Sequence, residues 1–367
     1  MTSEKKKKLE MGGQAVIEGV MMRSPMGYSI AVRKKDNRIK IKTIPYRPLT
    51  RRIKFLGLPF IRGVINLFEM LIIGMKGLDY SVNEWEGEEE DTGERIPESA
   101  AEETDTEDIG NNDSESEEKR QISYLGMAGL ITISLGMAIF LMVILPNLIT
   151  HFLGKIGEGE FVEAKSPLLF NLVAGFFRGC ILILYISVIS LSKDIRRIFE
   201  YHGAEHKVVF AFEDKKELTL DNVRSYTTRH PRCGTTFLFV VIFISIIIFA
   251  FIAKIVGIMF PGFLEMNIVL RKIILMGLHI VFLPVVAGTS YEIIKYGSRH
   301  LHNPFTRFLT YPGLLSQYIT TKEPDDSQLE VSIASLKAAL DITPDQKDAS
   351  VKVLEPREAL NKQMSEL

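Results

Sequence analysis

Four runs of apolar residues dictate what this chain can fold into. Residues 122 to 150 and 235 to 253 contain no charged side chain, 273 to 291 contains none but includes His279, and 166 to 192 contains one charge, Arg178. A bilayer core is about 30 Å thick, and a helix crosses it in roughly 20 apolar residues because it satisfies its own backbone there. Each run is long enough, so four transmembrane helices are predicted. The lysines Lys5 to Lys8 have no apolar run behind them. They do not read as a signal peptide, and the first spanning helix is expected to serve as the insertion signal.

The bases orient those helices, since Lys and Arg concentrate in short cytoplasmic loops. The first 54 residues hold 15 bases and four acids, and 193 to 234 holds nine bases. The opposite loops are poor, with Lys155 and Lys165 in 146 to 165 and no base around Pro261 before Arg271. Both termini and the 193 to 234 loop are therefore expected in the cytoplasm. The net charge of -1 hides an acidic insert, for residues 84 to 118 hold 17 acids against Arg95 alone. Such a stretch cannot bury enough apolar surface to fold by itself and reads as a disordered linker.

Leu56 to Leu78 is apolar yet carries Arg62, Asn66, Glu69 and Lys76 at helical spacing. That stripe predicts an interfacial or re-entrant amphipathic helix, either lying at the headgroups or presenting a polar face to a site or partner. Ahead of it, Tyr28 to Val32 alternates, Lys35-Asp36-Asn37 supplies a turn, and Ile39, Ile41 and Ile44 resume the pattern of a β-hairpin. Met11 to Met22 adds a glycine-marked strand. Val208 to Phe212 is strand-like, Leu218 to Tyr226 suits a short helix capped at Thr219 or Asp221, and Pro324-Asp325-Asp326-Ser327 introduces an amphipathic helix with Leu329, Ile333, Leu336 and Leu340. The last 25 or so residues read as a tail.

Chemistry concentrates in the basic loop. In His202-Gly203-Ala204-Glu205-His206 the two imidazoles and the carboxylate share one helical face, the His-x-x-Glu-His order of a zinc-peptidase class. His230-Pro231-Arg232-Cys233 follows, with an imidazole and a thiol three residues apart that can reach one zinc ion. Glu292 ends the fourth run on the same side, and His300 and His302 come after it. A lone guanidinium at mid-membrane is costly, so Arg178 needs a partner; Glu69 and Glu292 are the available carboxylates, with snorkelling the alternative. The segment Gly12 to Arg23 is no nucleotide loop, because no Gly-Lys-Ser/Thr follows and its glycine spacing misses the dinucleotide pattern.

The opening Gly12 to Arg23, Tyr201 to Lys207, His230 to Thr235 and Glu323-Pro324-Asp325-Asp326 together resemble the YqhQ family of bacterial multi-pass membrane proteins. The resemblance covers residues 11 to 342, with the acidic insert and the tail as variable parts. The family is classed as a domain of unknown function or as predicted metal-dependent enzymes, which implies His202, His206, His230 and Cys233 as ligands. A narrower likeness, confined to His202, Glu205 and His206, is to inverted-motif zinc peptidases, which take a third ligand from a distant glutamate. Glu292 would take that part.

The expectation is a polytopic α-helical membrane protein with four transmembrane helices, an amphipathic interfacial or re-entrant helix and a small α+β cytoplasmic domain. Its parts are a β-rich segment (1–54), the amphipathic helix (55–78), the acidic linker (79–121), spans one and two (122–192), the site loop (193–234), spans three and four (235–292), a C-terminal region (293–342) and a tail (343–367). A divalent metal, most simply zinc, would be held by His202, His206, His230 and Cys233 with Glu292 as a further ligand, at the cytoplasmic face of a bacterial inner membrane. If the site is hydrolytic, Glu205 is the base and Arg178 or Arg232 stabilises charge. The partners expected are the lipid bilayer and a membrane-proximal peptide, lipid-linked substrate or membrane protein, with no nucleic acid. The competing reading is a non-enzymatic assembly or adaptor subunit with a structural metal or none.

Overall fold

The computed structural model describes residues 11–86, 129, 132–156, 166–297, 303–343, 345–346 and 348–355. The acidic insert beyond residue 86, His300 and His302 lie outside them. The chain divides into two compact units, one of Met1–Glu89 with Ile183–Leu367, the other of Glu90–Leu182. The elements begin with strands β1 (Gly12–Val16), β2 (Gly19–Arg23), β3 (Gly27–Arg33) and β4 (Ile39–Pro45), a short helix α1 (Leu49–Arg52) and a long one, α2 (Ile61–Glu86). Helices α3 (Thr132–Ile156) and α4 (Pro167–Ile189) follow. Next come α5 (Lys193–Glu213), α6 (Leu220–Arg224), α7 (Gly234–Met259), α8 (Ile268–Gly297), α9 (Pro304–Thr320), α10 (Asp326–Leu340) and β5 (Ser350–Leu354).

The five strands form one antiparallel sheet in sequence order. Alternation decides its two faces. Tyr28, Ile30 and Val32 of β3 point with Val16 and Met21 toward Ile73 of α2. Val20, Met22, Ala31, Ile39 and Ile41 point the other way, into a core with α5 and α10. With helices on both faces, all of β3 is buried. The Lys35-Asp36-Asn37 turn joins β3 to β4 with Asn37 at φ 66°, a left-handed conformation that Asn tolerates. Gly19 is obligatory, because a Cβ there would sit 2.1 Å from the Ala31 carbonyl oxygen.

Helix α10 starts where Pro324-Asp325 predicts it, with a full capping box between Asp325 and Gln328. It is a core helix rather than an amphipathic one, buried without interruption from Gln328 to Leu336. Two of its buried polar groups pair with the sheet: Ser335 Oγ donates to the Val20 carbonyl at 2.9 Å, and Glu330 pairs with Arg33 at 2.9 Å. Two expectations are overturned nearby. Val208 to Phe212 is helical, inside α5, because Tyr201, Ala204, Val208 and Ala211 form a helical stripe that the core buries. Within the expected tail, Ser350–Leu354 pairs with β4, and Leu354 is fully buried.

Among the described residues four helices, α3, α4, α7 and α8, are long and apolar enough to cross a membrane. Val240 and Ile244 of α7 pack on Val286 of α8. In the other unit, α3 winds as π-helix over Phe140–Ile144 just before Pro146. Proline has no N–H, so it cannot give the Met142 carbonyl an i+4 hydrogen bond. Arg178 Nε on α4 donates to that carbonyl at 2.8 Å. The partner of Arg178 is thus a backbone carbonyl and not a carboxylate; Glu69 accepts instead from Tyr46 and the Leu49 amide, and Glu292 pairs with Arg62.

Candidate metal centre

The centre is built on α5 where that helix is buried without interruption from Gly203 to Val209. Gly203 lets another stretch of backbone press against it, for a Cβ there would lie 2.0 Å from the Lys322 carbonyl oxygen. That contact, with the Lys322 amide donating to the Phe199 carbonyl at 2.9 Å, brings the end of α9 against the helix. The Thr320 carbonyl then accepts from His202 Nδ1 at 2.8 Å. From the loop after α6, the Thr228 carbonyl accepts from His206 Nδ1. A carbonyl can only accept, so each Nδ1 carries a proton and each Nε2 is the atom left for a ligand or charge partner.

Both Nε2 atoms turn toward Cys233. This residue caps the N-terminus of α7, its sulfur accepting from the Thr235 amide at 3.4 Å, and lies 3.2 Å from His202 Nε2. One ligand atom from each of His202, His206 and Cys233 falls within 4.8 Å of the others. Glu205 closes the group. Its Oε1 accepts from the Gly13 amide of β1 at 2.9 Å, and its Oε2 stands 4.0 Å from His202 Nε2 and 3.9 Å from His206 Nε2. His206, Glu205 and Cys233 are buried, and His202, at 16 % side-chain exposure, is the open edge.

Charge within the cluster is redistributed. Burial works against charge on His202, but the adjacent Cys233 sulfur, then Glu205 and the Thr320 carbonyl, outweigh it and push this imidazole up to about 9. Burial likewise raises the Cys233 thiol, yet His202 and then His206 hold it well below its ordinary range. Both shifts favour the charged forms, an imidazolium beside a thiolate. His230 goes the other way, pushed down to about 4 by burial and then by His206.

Four of the eight residues singled out in the sequence meet here: His202, His206, Cys233 and Glu205. His230 forms the next layer. Its Nδ1 accepts from the Arg232 amide at 3.3 Å, its ring lies 5.6 Å from that of His206, and its Nε2 is 3.9 Å from Glu213. Arg232 pairs with Glu213. Glu292 lies elsewhere in the unit, in a two-pronged pair with Arg62 whose Nε contact is 2.7 Å. Arg178 belongs to the other unit. The supporting carbonyls of Thr228 and Thr320 were illegible in the sequence, since every residue offers one. Gln317 was missed too: fully buried, it accepts from the His230 amide at 2.7 Å and donates to the His230 carbonyl and Thr236 hydroxyl at 2.9 and 3.1 Å.

The donor set fits a divalent metal, since two neutral imidazoles and a thiolate, with each imidazole oriented by a second hydrogen bond, are borderline-soft ligands of the kind zinc takes. His202, His206 and Cys233 would supply three ligands to such an ion, and a fourth would have to come from water or substrate.

The family described as Protein of unknown function (DUF1385) matches residues 58–342. The chain belongs to that family. It is also similar to the Uncharacterized protein YqhQ of Bacillus subtilis (strain 168), with 28% identity over 334 residues, covering 90% of this chain and 92% of that protein. No solved structure matches it. The resemblance read from the opening, the His-x-x-Glu-His run and the His-Pro-Arg-Cys run is thereby shown, and it carries no activity with it.

Proposed function

We propose that this is a multi-pass protein of the bacterial cytoplasmic membrane that holds one divalent ion, zinc by its donor set, and acts as a metal-dependent hydrolase at the cytoplasmic face. The observation that carries the reading is the paired orientation of His202 and His206, each with Nδ1 on a backbone carbonyl and Nε2 aimed at the Cys233 sulfur. The base distribution supports placing both termini and the centre in the cytoplasm. A bound zinc ion lowers the pKa of a coordinated water toward neutrality. Glu205, fixed by the Gly13 amide with its second oxygen facing the imidazoles, is placed to accept a proton from a water molecule at the open edge and return it to a leaving group. The substrate class that suits the position is a membrane-proximal peptide or a lipid-linked molecule.

The burial of His206, Glu205 and Cys233 favours a second reading, an assembly or adaptor subunit with a purely structural metal. Metal content of the detergent-purified protein tests the first step. About one zinc per chain, lost in the His202→Ala, His206→Ala double variant, is expected. No metal in either protein would sink both metal readings. Glu205→Gln separates them: the hydrolase loses turnover while keeping its metal, whereas an adaptor tolerates the change and brings down a stoichiometric membrane partner.

A further inference from the structure

Two helices outside the candidate spans have their polarity inside out. Toward the protein α2 turns Gly63, Glu69, Gly74, Gly77 and Ser81, which are small or polar, and Ile73 is the large apolar exception. Outward it turns Phe68, Leu71, Ile72 and Met75, the last 69 % exposed. Helix α9 repeats the pattern. Thr306, Thr310, Gly313, Ser316 and Gln317 are buried, with Leu309 the large apolar exception, while Phe308, Tyr311, Leu315 and Tyr318 point out, with Phe308 at 69 % and Tyr318 at 61 % exposure. A helix facing water does the reverse. Small and hydroxyl-bearing residues inward with large apolar ones outward is the arrangement of helices whose surroundings are themselves apolar.

We infer that α2 and α9 are seated in the cytoplasmic leaflet of the bilayer, with their outer faces at the boundary between headgroups and acyl chains. The inference rests on the reading of α7 and α8 as membrane spans. Continuity with those spans identifies the occupant as lipid. Helix α2 is fastened to α8 by the Arg62–Glu292 pair and by Gly63, where a Cβ would come 3.1 Å from Gly288 Cα. Helix α9 is fastened to α7 where a Cβ on Gly313 would come 2.5 Å from Thr236 Cα. Each apolar face therefore begins beside a helix that crosses the membrane. Neither helix is itself a span, because Lys76 and Asp79 on α2 and Arg307 on α9 are exposed. Arg51, Arg52 and Lys54, exposed just ahead of α2 among Ile53 and Phe55, complement anionic headgroups. The seat also sets the level of the metal centre, since the Thr320 carbonyl at the end of α9 holds His202.

Trp85 is the chain's single tryptophan, which gives a clean probe. In a Trp85→Phe background, Met75→Trp, Tyr318→Trp and Val281→Trp each place one fluorophore, on α2, on α9 and on the outer face of α8. The full chain is reconstituted into vesicles of phosphatidylcholine and phosphatidylglycerol, with and without lipids brominated on the upper or the deep acyl carbons. The tryptophans at positions 75 and 318 are expected to lose most of their emission to the upper bromines and little to aqueous iodide, while the one at 281 is quenched by the deep bromines. Quenching at 281 with iodide access at 75 and 318 overturns the seat and leaves the spans standing. Quenching by neither agent at 75 and 318 also overturns it, placing protein on those faces. No lipid quenching at 281 removes the spanning reading and the inference with it. Leu71→Trp and Phe308→Trp report the same faces should either first variant fail to fold.

Discussion

Gly13 holds Glu205 because it has no side chain. A Cβ there would lie 2.5 Å from the Met21 carbonyl oxygen and 2.9 Å from Glu205 Cγ, so β1 can bring its amide to the carboxylate only as glycine. Gly13→Ala is expected to cost about 1–3 kcal/mol, the range for overpacking a filled site, and to swing Glu205 away from the imidazoles. Any metal content should persist, since the three candidate ligands are untouched, while the thermal midpoint and any hydrolytic activity fall. An unchanged midpoint would show that β1 has more room than these distances allow. His230 can be tested by pH. The folded chain keeps it neutral down to about 4, whereas an ordinary histidine takes a proton near 6.5. Between those values the unfolded chain binds more protons, so stability is full above the window and is lost as pH falls through it, by about 3 kcal/mol at most. The drop in unfolding temperature from neutral pH to about pH 5 should be smaller in His230→Gln than in the wild type. Equal drops would mean that other groups set the acid sensitivity.

Arg178 acts at the scale of elements, joining α4 to α3. It donates to the carbonyl to which Pro146 can give no i+4 hydrogen bond, so the two residues are expected to be energetically coupled. Arg178→Met should destabilise the protein by roughly 1–3 kcal/mol, the cost of a buried acceptor left unsatisfied. In a Pro146→Ala background, where the helix can supply its own donor, the same substitution should cost much less. Unfolding midpoints of the two single variants and the double variant measure this, and strict additivity would remove the link. The sequence showed that Arg178 needs a partner, and the proline was in plain view, but the π-turn that presents Met142 depends on backbone geometry that composition does not encode. The same limit runs through the other elements. Alternation in β3 and the capping residues of α6 and α10 were legible because their causes are local. Val208 to Phe212 misled because β-branched and aromatic residues suit a strand until the core around Tyr201 and Ala204 selects the helical stripe. Helix α9 went unseen although its faces segregate as those of α2 do, because Pro312 inside it reads as a helix breaker.

For the whole molecule, what matters is that the centre draws on residues far apart in sequence. Gly13 reaches Glu205 across 192 positions, and Thr320 reaches His202 across 118. Such a site forms only after the chain is made as far as Thr320, and α10 and β5 follow that point. Helix α10 fills the space between the sheet and α5, and β5 then covers the edge of β4 from Thr43↔Ser350 to Ile39↔Leu354. A chain ending at Ala349 would lose Leu354 from the core and leave β4 with an unpaired edge, a template for pairing between copies. Removing one buried leucine alone forfeits about 1.5–3 kcal/mol, before the lost strand pairing is counted. The truncated protein is expected to melt earlier and to aggregate on heating. Its metal content should fall with it, because the sheet that carries Gly13 and the helix that carries His202 share the core weakened by the loss. Thermal scans with light scattering, paired with metal analysis of the soluble fraction, check both effects. A truncated chain that melts with the wild type would show β5 to be an addition to a domain already closed by α10. Full metal content despite a lowered melting point would show that the centre holds its own geometry independently of the sheet's last strand.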